Sequence, residues 1–168
     1  MSGNSSRAKI PVIIPSLEPR PSLLAYIGEL KALGFTKIVL VDDGSGEAFS
    51  KIFENAQREH GCEVITHPVN LGKGAALKSA FAHVASTSSH AGVVTADADG
   101  QHSALDVAKV ADALLEHDPT KKNILILGTR TFSTKDVPWK SRFGNTMTSL
   151  LVKLLFGKFI SDTQTGLR

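Results

Sequence analysis

Two carboxylates stand out for the chemistry they could do. The run Val93-Val94-Thr95-Ala96 is apolar and rich in β-branched residues, and it stops abruptly at Asp97-Ala98-Asp99-Gly100-Gln101-His102. Side chains two apart in an extended chain lie on the same side. Asp97 and Asp99 are therefore expected to project together from the C-terminal end of a strand. Two ionised carboxylates aimed at one point repel unless a cation or a proton sits between them. Hard oxygen ligands that leave positions for water and phosphate oxygens suit Mg²⁺ or Mn²⁺ on a nucleoside diphosphate. Gly100 permits a sharp turn, and the Gln101 amide oxygen is a further ligand or a hydrogen-bond partner of one. The plainer reading of a bare D-x-D is a solvated acidic loop.

Other residues extend this chemistry, each with a structural alternative. Asp42 and Asp43 precede Gly44-Ser45-Gly46. They read either as acceptors for a nucleotide's base N–H or ribose hydroxyl, or as a turn and helix cap. The third glycine position of a dinucleotide fingerprint is Phe49, so that motif fails. In Asn70-Leu71-Gly72-Lys73-Gly74-Ala75-Ala76-Leu77, small residues and a lysine lead into a helix. Free amides at a helix start attract phosphate and Lys73 adds a full charge, whereas Gly74 and the alanines equally permit tight helix-to-sheet packing. The ATPase loop G-x-x-x-x-G-K-[ST] is absent, because Gly74 follows Lys73. Arg130 and Arg142 carry guanidinium forks that match phosphate oxygens, or are solvated surface groups. The six histidines show no ligand spacing, and His102 alone lies beside the acidic pair.

Alternating strands and helices must position these groups. Strands are expected at Lys9–Ile14 (stopped by Pro15), Lys37–Val41, Cys62–Thr66, Gly92–Ala96 and Ile124–Gly128. Helices are expected over Ser22–Leu33, Glu47–His60, Lys73–Ala85, from a capping box at Ser103 and Asp106 to about Glu116, and over Trp139–Phe156. Strands separated by helices of this length call for a largely parallel sheet. Ligands bind such sheets outside the carboxyl ends of the strands. The acidic pairs, the Asn70–Gly74 segment and Thr129-Arg130 all fall beyond predicted strands.

Bulk properties narrow the class. The chain has 168 residues, 42% hydrophobic and 21% charged, which is ordinary for one soluble α/β domain. A net charge of +3 is too small and dispersed for nucleic-acid binding, though it suits a polyanionic small ligand or an anionic membrane surface. The lone Cys62 excludes an intrachain disulfide and fits a reducing compartment. Met1 to Lys9 lacks the apolar core of a signal peptide, and Leu150 to Ile160 is broken by Lys153, Gly157 and Lys158. The chain reads as soluble or peripheral, with residues 1–8 a flexible N-terminus and 9–168 a single domain.

In order along the chain stand Ile14-Pro15-Ser16-Leu17-Glu18, Val41-Asp42-Asp43-Gly44-Ser45, Asn70-Leu71-Gly72-Lys73-Gly74, Asp97-Ala98-Asp99-Gly100-Gln101-His102 and Gly128-Thr129-Arg130. This set resembles a family-two glycosyltransferase of the GT-A fold, a Rossmann-like α/β sandwich with a mostly parallel sheet and helices on both faces. Ser141-Arg142-Phe143-Gly144-Asn145 and the stretch from Ser161 to Arg168 resemble the branch that loads sugars onto polyprenyl phosphates. That branch includes dolichyl-phosphate mannose or glucose synthases and bacterial enzymes found beside GtrA-type membrane proteins.

The resemblance implies a UDP- or GDP-sugar donor whose base rests near Pro15, Glu18 and Asp42. Asp43, Gly44, Lys73, Gly74, Asp97 and Ala98 would complete the donor site. Asp97, Asp99 and Gln101 would hold Mg²⁺ or Mn²⁺, while Asp99, Arg130 and Arg142 would serve the transfer, with inversion at the anomeric carbon. It further implies a polyprenyl-phosphate acceptor (undecaprenyl or dolichyl) and work at the cytoplasmic face of a membrane, through further segments or a membrane-protein partner. Relatives of this kind continue past the position of Arg168, so a C-terminal portion of the family domain is expected to be missing. Three other readings stay open on residues alone, the first a glycosyltransferase with a saccharide acceptor. Ile38-Val39-Leu40-Val41-Asp42-Asp43 resembles a response-regulator receiver with Asp97 as phosphoacceptor, and a sugar nucleotidyltransferase is the third, without the usual glycine-rich, basic loop after the first strand.

Overall fold

The computed structural model describes residues 6–87, 92–100, 102–117, 124–128 and 167–168. Four parallel strands form the sheet: β1 (Val12–Ser16), β2 (Ile38–Asp42), β3 (Glu63–Thr66) and β4 (Val94–Thr95), in the order β3-β2-β1-β4. Between them run α1 (Ser22–Ala32), a 3₁₀ turn (Glu47–Phe49) continuing into α2 (Ser50–His60), and α3 (Lys73–Thr87). Helix α4 (Ala104–Leu115) follows β4. Every residue of β2 is buried, as expected of a strand covered on both faces.

The period of two along the strands sorts the core into two layers. Val12, Ile14, Ile38 and Leu40 pack with Leu23, Ile27 and Leu30 of α1, Phe53 of α2 and Val107 of α4. Ile13, Val39 and Val41 point the other way, onto Ala76, Ala80 and Val84 of α3. Alanines at 76 and 80 let α3 lie close to the sheet. The expected α/β sandwich with helices on both faces is therefore observed, and among the described residues no helix is long and apolar enough to cross a membrane. Ser103 caps α4 as expected, its hydroxyl accepting from the Asp106 amide at 3.2 Å.

Three details differ from the sequence expectations. Strand β1 runs through Pro15, opposite Val41, instead of stopping before it. The Val12 amide donates to Lys37 on the β2 side, so alternation turns the Pro15 nitrogen toward β4. Strand β4 reaches only as far as Ile13, so the missing N–H costs no ladder bond. Second, residues 124–128 are not a strand, and Leu125 is 67% exposed. The outer edge of β4 is taken instead by the chain's end: Thr95 and Arg168 exchange both backbone bonds, at 2.7 and 3.2 Å, an antiparallel pairing. Leu167 is buried there against Gly128, whose amide donates to the Leu167 carbonyl at 3.0 Å. The expected helix over Trp139–Phe156 lies outside the described residues.

Third, β4 covers only Val94–Thr95 of the expected Gly92–Ala96, so Asp97 and Asp99 stand in the turn beyond it. Arg7 grips Asp112 of α4 through two 2.7 Å bonds and donates to the Leu33 carbonyl at 3.1 Å. That fork holds the Asp112 carboxyl below its ordinary value. Arg7→Gln should lower stability by about 1 kcal/mol near neutral pH, since both partners are only partly shielded. A depressed carboxyl stabilises above its unfolded pKa, so the gap should close as acid protonates Asp112. Urea unfolding of both proteins from neutral to acid pH checks this; no gap at any pH would mean a loose terminus.

Candidate functional site

The strand order reverses between β1 and β4, and a cleft of about 650 Å³ opens there at the carboxyl ends of the strands. One wall is the turn after β1. Glu18 sits at φ 49°, in the left-handed region that side chains rarely adopt. Its amide donates to Ser45 Oγ at 2.9 Å, the Ser45 amide donates to Asp42 Oδ1 at 2.8 Å, and the Asp43 amide donates to the Ser16 carbonyl at 2.9 Å. The turn after β2 thus braces the turn after β1 and holds Glu18 in a conformation it would otherwise avoid.

Asp43 anchors the next wall. Its buried carboxylate accepts from His67 Nδ1 at 2.7 Å, the Leu71 amide at 3.1 Å and the Gly72 amide at 2.8 Å. His67 Nε2 in turn lies 2.9 Å from Ser79 Oγ on α3. Burial pushes the Asp43 carboxyl up, but His67 and the two amides outweigh it and hold it below its ordinary value. This network fixes the loop that leads into α3. The loop crosses directly over Gly44, at φ +78°, where an added Cβ would stand 2.3 Å from the Val69 carbonyl carbon and 2.4 Å from the Asn70 nitrogen.

Lys73, the first residue of α3, reaches across to the acidic turn after β4. Its Nζ lies 2.5 Å from Asp97 Oδ1, and Asp97 Oδ2 lies 3.8 Å from Nε2 of the buried His102. The cleft is lined by Pro15, Glu18, Asp43, Lys73, Asp97, Ala98 and Asp99, with Ser16, Arg20 and Asn70 among their neighbours. Tyr26 of α1 is buried, and burial, then the Asp97 charge, push its phenol well above its ordinary value.

Seven of the residues singled out in the sequence therefore share one cavity. Three others do not line it. Asp42 is buried and turned into its own loop, Gly44 serves the crossing of the 67–72 segment, and Gly74 is exposed with nothing within 4 Å of an added Cβ. Gln101, Arg130 and Arg142 lie outside the described residues. Arg20 and His67 escaped the sequence reading. His67 follows β3 by one residue, a strand-end position, but its partner is 24 positions away and no local spacing betrays it.

Among the described residues no three His, Cys, Asp or Glu side chains converge as metal ligands. Asp97 and Asp99 nevertheless supply two hard oxygen groups on the cleft wall. This fits a divalent ion of the Mg²⁺ kind, which takes one or two carboxylates and completes its shell with water and substrate phosphate.

The two glycines should respond oppositely. Gly44→Ala is expected to cost about 3 kcal/mol or more, from backbone overlap added to a positive φ. Gly74→Ala should be neutral or stabilising by up to about 1 kcal/mol, because alanine is the better helix former. Thermal and urea unfolding separate them. His67→Ala should cost about 2 kcal/mol by stripping a donor from the buried Asp43, with unchanged stability arguing against the network.

The profile of Glycosyl transferase family 2 matches residues 12–160. The chain is 31% identical over 170 residues to an uncharacterized protein of Methanocaldococcus jannaschii, covering 97% of this chain and 65% of that protein. It is 28% identical over 177 residues to a UDP-N-acetylglucosamine–dolichyl-phosphate N-acetylglucosaminyltransferase of Methanococcus voltae, covering 94% and 67%. It is 30% identical over 145 residues to a dolichyl-phosphate beta-glucosyltransferase of Trichomonas vaginalis, covering 83% and 43%. The chain thus spans about two thirds or less of the length of these relatives. With an α/β sandwich, a cleft at the strand reversal and a profile match through most of its length, the chain belongs to glycosyl transferase family 2.

Proposed function

We propose that this chain carries the donor-binding part of a glycosyltransferase that moves a sugar from a nucleoside diphosphate to a polyprenyl phosphate. The observation that carries the reading is the meeting of Asp97, Asp99 and Lys73 on one cleft beside Pro15 and Glu18. Relatives named for transfer to dolichyl phosphate support the acceptor class. Family membership leaves the receiver and nucleotidyltransferase readings without support.

The chain's groups divide the work. Pro15, Ser16 and Glu18 form the wall on which the donor's base rests. Lys73 and the amide end of α3 face the diphosphate, where a helix N-terminus favours negative charge. Asp97 and Asp99, with Gln101, would hold Mg²⁺ or Mn²⁺, which when bound supplies Lewis-acid stabilisation to the departing diphosphate. A lipid phosphate is already anionic at neutral pH, so no strong base is needed to activate it. One of its oxygens bonds to the anomeric carbon as the bond from that carbon to the diphosphate oxygen breaks, with inversion. Arg130 and Arg142 are assigned to hold the acceptor phosphate in line. An acceptor of this kind places the work at a membrane surface, on its cytoplasmic face where nucleotide sugars are made.

Calorimetric titration of UDP and GDP with Mn²⁺ tests the donor site. One nucleotide should bind far more tightly with the metal than without it, and Asp99→Ala should weaken the metal-linked binding at least about tenfold, the loss of a charge-assisted contact. Metal-independent or absent binding of both would refute the donor reading. Transfer of labelled sugar to a short polyprenyl phosphate, against a free saccharide, tests the acceptor; product on the saccharide alone would refute the lipid.

A further inference from the structure

The Lys73–Asp97 ion pair closes a bridge across the cleft, between the first turn of α3 and the exit of β4. The two partners differ in freedom. The Lys73 side chain is 54% exposed, on a long stem at the open side, whereas that of Asp97 is 22% exposed and set against the wall. The backbone beneath Lys73 is fixed, because Asp43 holds the Leu71 and Gly72 amides. The lysine can therefore swing while its root stays in place. Asp97 is the carboxylate already assigned to a divalent ion, and its Oδ1 carries the ammonium at 2.5 Å. An ammonium and a divalent cation on one carboxylate oxygen repel each other strongly, so the two compete for it.

We infer that Lys73 is an internal counter-ion for Asp97, which exchanges onto the donor's diphosphate and thereby frees Asp97 for the metal. This rests on the donor-site reading above. A diphosphate outbids a single carboxylate for the ammonium, and the N-terminal end of the 15-residue α3 adds its positive field at the same place. Cation and nucleotide then enter as a linked pair, each raising the other's affinity by the same factor. The empty cleft keeps Asp97 paired with Lys73 and holds metal poorly. A lysine suits this exchange, since a point charge on a flexible stem releases more readily than a bidentate guanidinium fork.

Mn²⁺ binding followed by the electron paramagnetic resonance of the free ion tests the exchange, with and without UDP or GDP. Lys73→Met should bind Mn²⁺ alone about 5- to 10-fold more tightly than the wild type, the scale of a typical coupling between sites. It should also bind the metal-free nucleotide more weakly, and show a correspondingly smaller gain in Mn²⁺ affinity when nucleotide is added. Lys73→Arg should restore the weak metal-only binding. Matching melting curves exclude a folding effect, which an exposed lysine gives no reason to expect. If Lys73→Met binds Mn²⁺ alone no more tightly than the wild type while nucleotide binding stays metal-linked, the exchange is wrong and the donor site stands. If neither nucleotide binds the wild type with Mn²⁺, both fall together.

Discussion

A buried carboxylate at the end of β2 holds this site together. Asp43 cannot stay ionised inside the protein without donors, and it finds them in His67 and in the Leu71 and Gly72 amides. Meeting that requirement draws the segment after β3 over Gly44 and points the start of α3 at the cleft. The same turn, through Ser45, holds Glu18 in its left-handed conformation on the opposite wall. One charge that must be satisfied thus sets the distance between two walls of the cavity. His67 extends the constraint to Ser79, tying the loop to the body of α3.

The cleft itself follows from topology. Strands β1, β2 and β3 progress in one direction, and β4 returns to the other side of β1, so the turns after β1 and β4 diverge and leave a gap between them. Acidic groups delivered from β4 face a basic group delivered from α3. Such a pairing of opposite charges across an open space supports the proposed ligand, an anionic diphosphate with its cation. The proposed exchange of Lys73 makes the ion pair part of donor binding instead of an obstacle to it.

How much could be read from the residues differs from element to element. The apolar runs Val12–Ile14 and Ile38–Val41, the apolar face of α1 and the cap at Ser103 are local patterns, and they appear where expected. Asp97 and Asp99 do share one wall of the cleft, but through the turn after β4, because the strand ends at Thr95 before either is reached. By contrast, Pro15 reads as a strand breaker because its missing donor is a local fact, while the ending of β4 short of Pro15 is not. The apolar run Ile124–Gly128 reads as a strand for the same reason, yet Arg168 has taken the hydrogen-bonding edge of β4. Glycines at 44 and 74 look alike in sequence, and only the backbone passing over Gly44 distinguishes them.

Family membership, the α/β class and the list of chemically able residues were thus determined by the sequence alone, because they depend on residue type and on spacings of two to four positions. Which acid of the Asp42-Asp43 pair lines the cavity, which partners Asp43 takes, and that Lys73 bridges to Asp97 were decided only by tertiary structure. Those facts join residues 24 to 29 positions apart. Hydrogen-bond geometry and competition for buried charge act through space, and no local pattern of residues encodes them.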